Sequence, residues 1–225
     1  MREIVKRTIP NLTEEQCDKF VAYYEMLVDW NSRMNLTAIT DPEEVAQKHF
    51  LDSLAALPLL RSGDRLVDVG TGAGFPSVPL LIVKPDLKVT LVDSLNKRIT
   101  FLTALLQTLG LTAACIHARA EELGRNAAHR EQYDVAVTRA VAPLSVLLEL
   151  TVPLLRVGGR SIAYKGNAYE ETEQAKRACH LLHASIEVSE VEADYGKRTL
   201  LICTKNAPTP KTYPRKAGTP SKQPL

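Results

Sequence analysis

The chain has 225 residues, 45% hydrophobic and 24% charged, with a net charge of +2. That is the composition of an ordinary globular protein with one substantial core. It excludes a membrane helix, since no apolar run approaches the ~20 residues such a helix needs; a cytoplasmic protein with no membrane association is expected.

The opening stretch MREIVKRTIPNL has no uninterrupted apolar core and no small-residue cleavage site of the kind a secretory leader carries. Residues 1–60 show no strand-like alternation. Thr13-Glu-Glu-Gln16 fits a capping box, and Phe20, Tyr23, Tyr24, Leu27, Val28 and Trp30 recur at mostly helical spacing, which predicts an amphipathic helix to about Trp30. Asn31 to Thr40 reads as a loop. Asp41-Pro42 starts a second helix that runs through Val45, His49, Leu51 and Leu54 toward Leu60, with a break near Pro58. Residues 1–62 thus form a helical N-terminal extension, and His49 reads as a packing or hydrogen-bonding residue of it rather than a catalyst.

From Leu66 the pattern alternates between strands and helices. Leu66–Val69, Lys88–Asp93, Ala113–His117, Tyr133–Thr138 and Arg160–Tyr164 read as strands. Between them, Pro76–Val83, Asn96–Leu109 and Pro143–Leu155 read as helices, with Glu121–Arg130 a short helix or loop. Gly110 stops the Asn96–Leu109 helix and Arg156-Val-Gly-Gly159 stops the Pro143–Leu155 helix. A helix over Glu170–His183 leads to two closing strands, Ile186–Val191 and Thr199–Thr204, joined by a short polar turn around Tyr195-Gly196. No crossover helix separates that pair, so it is antiparallel. The expected architecture over residues 63–205 is a mostly parallel, doubly wound α/β sheet with an antiparallel final hairpin. His180 and His183 make the one close histidine pair, without a third ligand, and Cys17, Cys115, Cys179 and Cys203 contain no C-x-x-C pair. No metal site is assigned, and the cysteines are expected to be reduced core thiols.

Residues 206–225 carry five prolines and few apolar side chains, so this tail is expected to be extended or disordered when free. From Lys205 onward there are five basic residues and no acid, and removing them from the total of +2 leaves residues 1–204 at −3. A mildly acidic body with a basic end suggests a polyanionic partner. Deleting the tail is expected to weaken salt-sensitive binding of such a partner.

The chemistry concentrates in Arg65-Leu-Val-Asp-Val-Gly-Thr-Gly-Ala-Gly-Phe-Pro76. Asp68 sits near the end of a buried strand, and Gly70, Gly72 and Gly74 let the backbone approach a ligand with no Cβ in the way. A strand, a glycine turn and a helix start form a nucleotide cradle. A dinucleotide fold would want a small residue where Phe75 stands, and a phosphate-binding P-loop would continue with Gly-Lys-Ser/Thr, which is absent. Asp93 ends the next strand, 23 residues beyond Gly70, where a carboxylate can accept two ribose hydroxyls.

The spacing Asp68, Gly70, Gly72, Gly74 resembles motif I of the class I S-adenosylmethionine methyltransferases. The resemblance narrows with Trp30-Asn31, Asn35-Leu36-Thr37, His49-x-Leu51-Asp52-Ser53, Leu91-Val-Asp-Ser94 with Lys97-Arg98, Arg139-Ala140, Tyr164-Lys-Gly166, Arg198-Thr-Leu-Leu and the tail Tyr-Pro-Arg-Lys-Ala-Gly-Thr-Pro. These strings, spread over nearly the whole chain, are similar to the bacterial 16S rRNA guanine-N7 methyltransferases, also called the glucose-inhibited division protein B family. The resemblance implies the class I methyltransferase fold and S-adenosylmethionine as cofactor. It implies cofactor contacts at Gly70, Phe75, Ala120 with Glu121, and Arg139, beside Asp68, Gly72 and Asp93. It also implies nitrogen 7 of a guanine in the 530 loop of 16S rRNA as acceptor, free or in an assembling small subunit. A monomer is expected. Lys165, Arg198, Arg215 and Lys216 are the candidates for RNA contacts.

Guanine nitrogen 7 carries an in-plane lone pair and no proton, so positioning without a general base suffices. After the fourth strand stands Thr138-Arg-Ala-Val-Ala-Pro143, not the Asn/Asp-Pro-Pro-Tyr of exocyclic-amine methylation, and no cysteine is there for a covalent pyrimidine mechanism. Two further readings are a small-molecule methyltransferase, which leaves the basic tail without a role, and a non-catalytic RNA-binding factor that retained the fold, which the unbroken glycine motif opposes.

Overall fold

The apolar run that ends at the glycine turn, Arg65–Val69, forms strand β1, its side chains buried from Leu66 onward. The computed structural model describes residues 1–139, 142–166, 169–191 and 198–225, with the backbone alone at Tyr169. β1 pairs in parallel with β2 (Lys88–Asp93) on one side and β4 (Tyr133–Arg139) on the other. β2 continues to β3 (Ala114–His117) and β4 to β5 (Leu155–Lys165), both parallel. β7 (Arg198–Lys205) then lies antiparallel between β5 and β6 (Ala184–Val191), which gives the order β3-β2-β1-β4-β5-β7-β6. Successive connections leave β1 in opposite directions, so the sheet has its topological switch point between β1 and β4, where open α/β sheets bind ligands. The expected mostly parallel sheet with a closing antiparallel hairpin is the observed one. The expected turn at Tyr195-Gly196 lies outside the described residues.

Helices cover both faces: α4 (Ser77–Val83), α5 (Asn96–Leu109), α6 (Ala120–Arg125), α7 (Leu144–Thr151) and α8 (Tyr169–Leu182). Gly110, at φ +61°, caps α5 in the left-handed region that favours glycine. At Gly158-Gly159 the structure departs from expectation. The helix before it ends at Thr151, and β5 already begins at Leu155. Between the pairs Leu155–Tyr133 and Arg160–Val135 the register slips, so the two glycines form an irregularity within a strand instead of a helix stop. A Cβ on Gly159 would come within 2.9 Å of the Arg156 carbonyl and 3.0 Å of that of Asp134.

The N-terminal segment folds as α1 (Arg2–Thr8), α2 (Glu14–Met34), α3 (Pro42–Val45), a π-helical turn over Ala46–Leu51 and a 3₁₀ segment over Leu54–Leu59. The Thr13–Gln16 capping box is present, and α2 runs one turn beyond the expected end. Val5, Phe20, Tyr23, Leu27 and Phe50 share one buried cluster with Leu66, Leu80, Leu91 and Leu105. The extension and the sheet therefore have a common core.

Residues 206–225 differ most from expectation. They pack on the body, because buried polar anchors substitute for apolar burial. The Arg130 guanidinium donates to the carbonyls of Thr209, Pro210 and Tyr213. Arg125 donates to Pro214 O at 2.8 Å. Arg215 grips Glu149, which is wholly buried, through Nε and Nη2 at 2.9 and 2.6 Å, and α9 (Thr219–Lys222) follows. Arg215 is thus a strut of the fold, and truncating the tail would strip a buried carboxylate of its counter-charge. Arg215→Ala should cost about 3–5 kcal/mol of stability, as removal of one partner of a buried ion pair does. Urea denaturation measures this, and a loss under about 1 kcal/mol, the range of an exposed pair, would show the contact to be incidental.

Candidate functional site

A cavity of about 680 Å³ opens where β1, β2, β4 and β5 end and β7 begins. The volume is that of a cofactor site. Its floor is the glycine turn. The amides of Gly70 and Thr71 donate to Val92 O at 2.9 and 3.1 Å, and those of Gly74 and Phe75 to Thr71 O. These bonds close the turn on itself, so its service to a ligand is open space. A Cβ on Gly72, at φ +59°, would meet only the Gly70 carbonyl, at 4.0 Å. Gly74 serves packing instead: a Cβ there would lie 2.8 Å from Val78 Cγ2 and 2.9 Å from the Tyr23 hydroxyl. That hydroxyl donates to Ala73 O at 2.6 Å, so α2 clamps the turn from behind.

The walls are charged on one side and flat on the other. Asp93 closes the β2 end, its Oδ2 accepting from the Gly72 amide at 3.0 Å and Arg98 at 3.2 Å, its Oδ1 from the Leu95 amide. Phe75 stacks on Tyr23 and on His49, with centroids 5.1 and 4.6 Å apart, and the Arg139 guanidinium lies 5.0 Å from its ring centre. Arg139 donates to Asp52 Oδ2 at 2.9 Å and to Lys48 O, and contacts His49 Nδ1 at 3.3 Å. His49 Nε2 shares a hydrogen bond with Thr37 Oγ1 at 2.8 Å, and its Nδ1 also faces the Lys48 carbonyl at 3.2 Å. Burial and then the Arg139 charge push the His49 pKa down to about 4, which leaves the ring neutral at physiological pH. Lys165, at the end of β5, pairs with Glu171 at 2.8 Å, and Arg198 with Asp52 Oδ1 at 2.8 Å.

Of the residues expected from sequence, the cavity brings together Gly70, Gly72, Phe75, Asp93, Arg139, Lys165 and Arg198. Asp68 is buried beneath the turn, taking the Thr71 hydroxyl at 3.0 Å while its Oδ1 and the Ser77 hydroxyl lack well-formed partners. Ala120 and Glu121 open α6 outside the lining, and the Glu121 carboxylate accepts the Gly218 amide of the tail at 2.7 Å. Lys216 is exposed on the tail beside the committed Arg215. Ala140 lies outside the described residues. Sequence reasoning gave no role to Leu36, Thr37, Ile39, Lys48 or Asp52, all of which line the cavity from the N-terminal extension. Leu36, Thr37 and Asp52 were present only within short strings flanking the glycine motif, and Ile39 and Lys48 carried no signal.

The donor set suits a nucleoside that carries an amino-acid group. A carboxylate stands ready for a ribose diol, an arginine for a carboxylate, and an apolar face of Leu36, Ile39 and Phe75 for the rest. Among the described residues no group of three His, Cys, Asp or Glu side chains could hold a metal, and no helix is long and apolar enough to cross a membrane.

Comparison with known proteins agrees. The family profile described as GidB, rRNA small subunit methyltransferase G, matches residues 16–201. The chain is 49% identical over 220 residues to ribosomal RNA small subunit methyltransferase G of Acetivibrio thermocellus, covering 96% of this chain and 91% of that protein. It is 49% identical over 222 residues to the protein of that name from Staphylococcus carnosus, covering 95% and 92%. Among solved structures, a methyltransferase from Pyrococcus furiosus superposes with a TM-score of 0.57 at 16% identity, covering 84% of this chain and 99% of that one. That likeness is one of fold.

Asp68 generates a test. Burial pushes its pKa from 3.8 up to about 7, against the pull of the Ser77 and Thr71 hydroxyls and the Arg139 charge. The folded chain then holds a proton that the unfolded chain releases, so this group's stabilising contribution falls as pH rises from about 4 to about 7, by roughly 4 kcal/mol at most. Asp68→Asn should remove that slope, and its melting temperature should gain on the parent's between pH 4 and pH 7. Parallel curves for the two proteins would contradict the assignment.

Proposed function

The chain belongs to the rRNA small subunit methyltransferase G family, and from that premise we propose that it transfers the methyl group of S-adenosylmethionine to nitrogen 7 of a guanine in the 530 loop of 16S rRNA. The substrate is the RNA, free or within an assembling small subunit. The enzyme acts in the cytoplasm, as a monomer and without a metal.

One observation carries the choice of a base-free reaction: each acid or base on the described cavity wall already has a partner. Asp93 accepts the Gly72 and Leu95 amides and Arg98, and Asp52 accepts two arginines. His49 is neutral and held by Thr37 and Arg139. The Tyr164 hydroxyl donates to Ser53 O at 2.7 Å, and burial pushes its pKa up, away from ionisation. A nitrogen that bears a lone pair and no proton needs none of them as a base. Bound in the cavity, S-adenosylmethionine supplies an electrophilic methyl carbon on a sulfonium.

The rest is the work of the chain's own residues. Asp93 is suited to the ribose hydroxyls, the open face of Gly72 to close approach of the cofactor, and Arg139 to the methionyl carboxylate or the target nucleotide. Phe75 and His49 exclude water on the flat side. Ala120 and Glu121, at the β3 exit, are assigned to the adenine end through their backbone, since the Glu121 carboxylate is held by the tail. Lys165, Arg198 and Lys216 are assigned to RNA phosphates; Arg215 supports this role only by ordering the tail that carries Lys216. Alignment of two reactants contributes up to about 7–11 kcal/mol of barrier lowering, enough for large acceleration without acid or base catalysis.

Incubation with tritiated S-adenosylmethionine and purified bacterial ribosomal RNA, followed by mapping of the labelled nucleotide, tests this reading. Label on a 530-loop guanine at nitrogen 7 is expected, and label elsewhere or none would refute it. Arg139→Ala should lower turnover or cofactor affinity at least roughly tenfold, the scale of a lost charge-assisted contact. Kinetics within twofold of the parent would remove Arg139 from the site.

A further inference from the structure

Arg139 and Arg198 enter the cavity from strands that do not touch. β5 lies between β4 and β7. Yet both guanidiniums converge on one carboxylate, that of Asp52, which comes from neither strand but from the N-terminal extension. Oδ2 takes Arg139 Nη1 at 2.9 Å and Oδ1 takes Arg198 Nε at 2.8 Å. The Asp52 side chain is 3% exposed, against 13% for Arg139 and 32% for Arg198. A buried acid thus stands behind two partly open cations.

Asp52 is itself held in place. Ser53, the next residue, receives the Tyr164 hydroxyl on its carbonyl and donates its own hydroxyl to the carbonyl of His49. On the far side of the pair, Gly166 sits so near Arg198 that a Cβ there would be 4.0 Å from Nη1. Side chains as long as arginine lose much rotamer freedom when fixed, and two like charges brought together repel. One carboxylate with an oxygen turned to each offsets both costs before any ligand arrives, which is how pre-organised electrostatic sites are built.

We propose that Asp52 is a positioning residue for the methyl transfer: it sets as one unit Arg139, which faces the cofactor or the target nucleotide, and Arg198, which holds an oxyanion of the acceptor RNA, a backbone phosphodiester, over the cavity. The proposal rests on the reading that these arginines contact substrate. It makes their contributions to RNA turnover inseparable from that of a residue that acts through them.

A mutant cycle on the full-length enzyme, with S-adenosylmethionine and 16S rRNA, tests it. Asp52→Asn and Arg198→Ala should each lower kcat/KM for RNA about tenfold or more, and the double variant should be no worse than about threefold below the poorer single variant, because coupled residues are not additive. Asp52→Glu, which keeps the charge, should recover at least about threefold over Asp52→Asn, a rescue that a merely packing role would not give. Should Asp52→Asn prove unfolded by circular dichroism, Asp52→Glu combined with Arg198→Ala supplies the cycle. Multiplying losses in the double variant, or parental turnover for Asp52→Asn while Arg198→Ala is impaired, would overturn the positioning role. Parental turnover for both Arg139→Ala and Arg198→Ala would instead remove the reading on which it rests.

Discussion

The hydrogen bond from the Tyr23 hydroxyl to the Ala73 carbonyl, 2.6 Å long and buried, is the contact on which the site depends. It joins a helix of the N-terminal extension to the middle of the glycine turn. Gly74 makes it possible, since any side chain there would occupy the space of the phenol oxygen. The backbone conformation at Gly74, φ +98°, is one that residues with a Cβ rarely adopt. Sequence identity, backbone geometry and tertiary contact thus agree at one residue, and the turn is fixed from behind while its front stays open at Gly72.

The same division of labour recurs around the cavity. The sheet supplies strand ends, and the extension supplies the groups that hold their side chains. Ser53 receives Tyr164 of β5, and Asp52 receives Arg139 and Arg198. In a low-dielectric setting such contacts are stronger than in water, and a broken one costs more than a made one returns. The wall is accordingly rigid before a ligand enters, which suits a reaction whose acceleration comes from alignment.

Much of this was legible in the residues. The period of the apolar pattern located each strand of the sheet, because burial on both faces leaves few alternatives for runs such as Leu66–Val69 and Val135–Val137. Asp93 was legible because a carboxylate at the end of the second strand has a stated task. Tyr23 was not: at helical spacing it looks like any aromatic of a buried stripe, and nothing local marks that its hydroxyl reaches a carbonyl fifty residues away. Asp52 was legible only as part of a flanking string, since a carboxylate in a helix reads equally as solvated surface. The tail misled for a physical reason. Counting apolar residues measures what a segment can bury, but residues 206–225 are ordered by Arg130, Glu149 and Glu121, partners supplied by the body. Gly158-Gly159 misled because a glycine pair signals a helix end and a strand irregularity alike.

If the extension fixes the turn, then loosening this hydrogen bond between them must be felt by the cofactor. Calorimetric titration of Tyr23→Phe with S-adenosylmethionine measures this directly, because the substitution removes one oxygen and leaves the ring stack with Phe75. The Ala73 carbonyl then loses its donor, a cost of about 1–3 kcal/mol, and affinity should fall roughly tenfold. An affinity equal to the parent's would mean that the turn holds its shape without the extension, and would contradict the account.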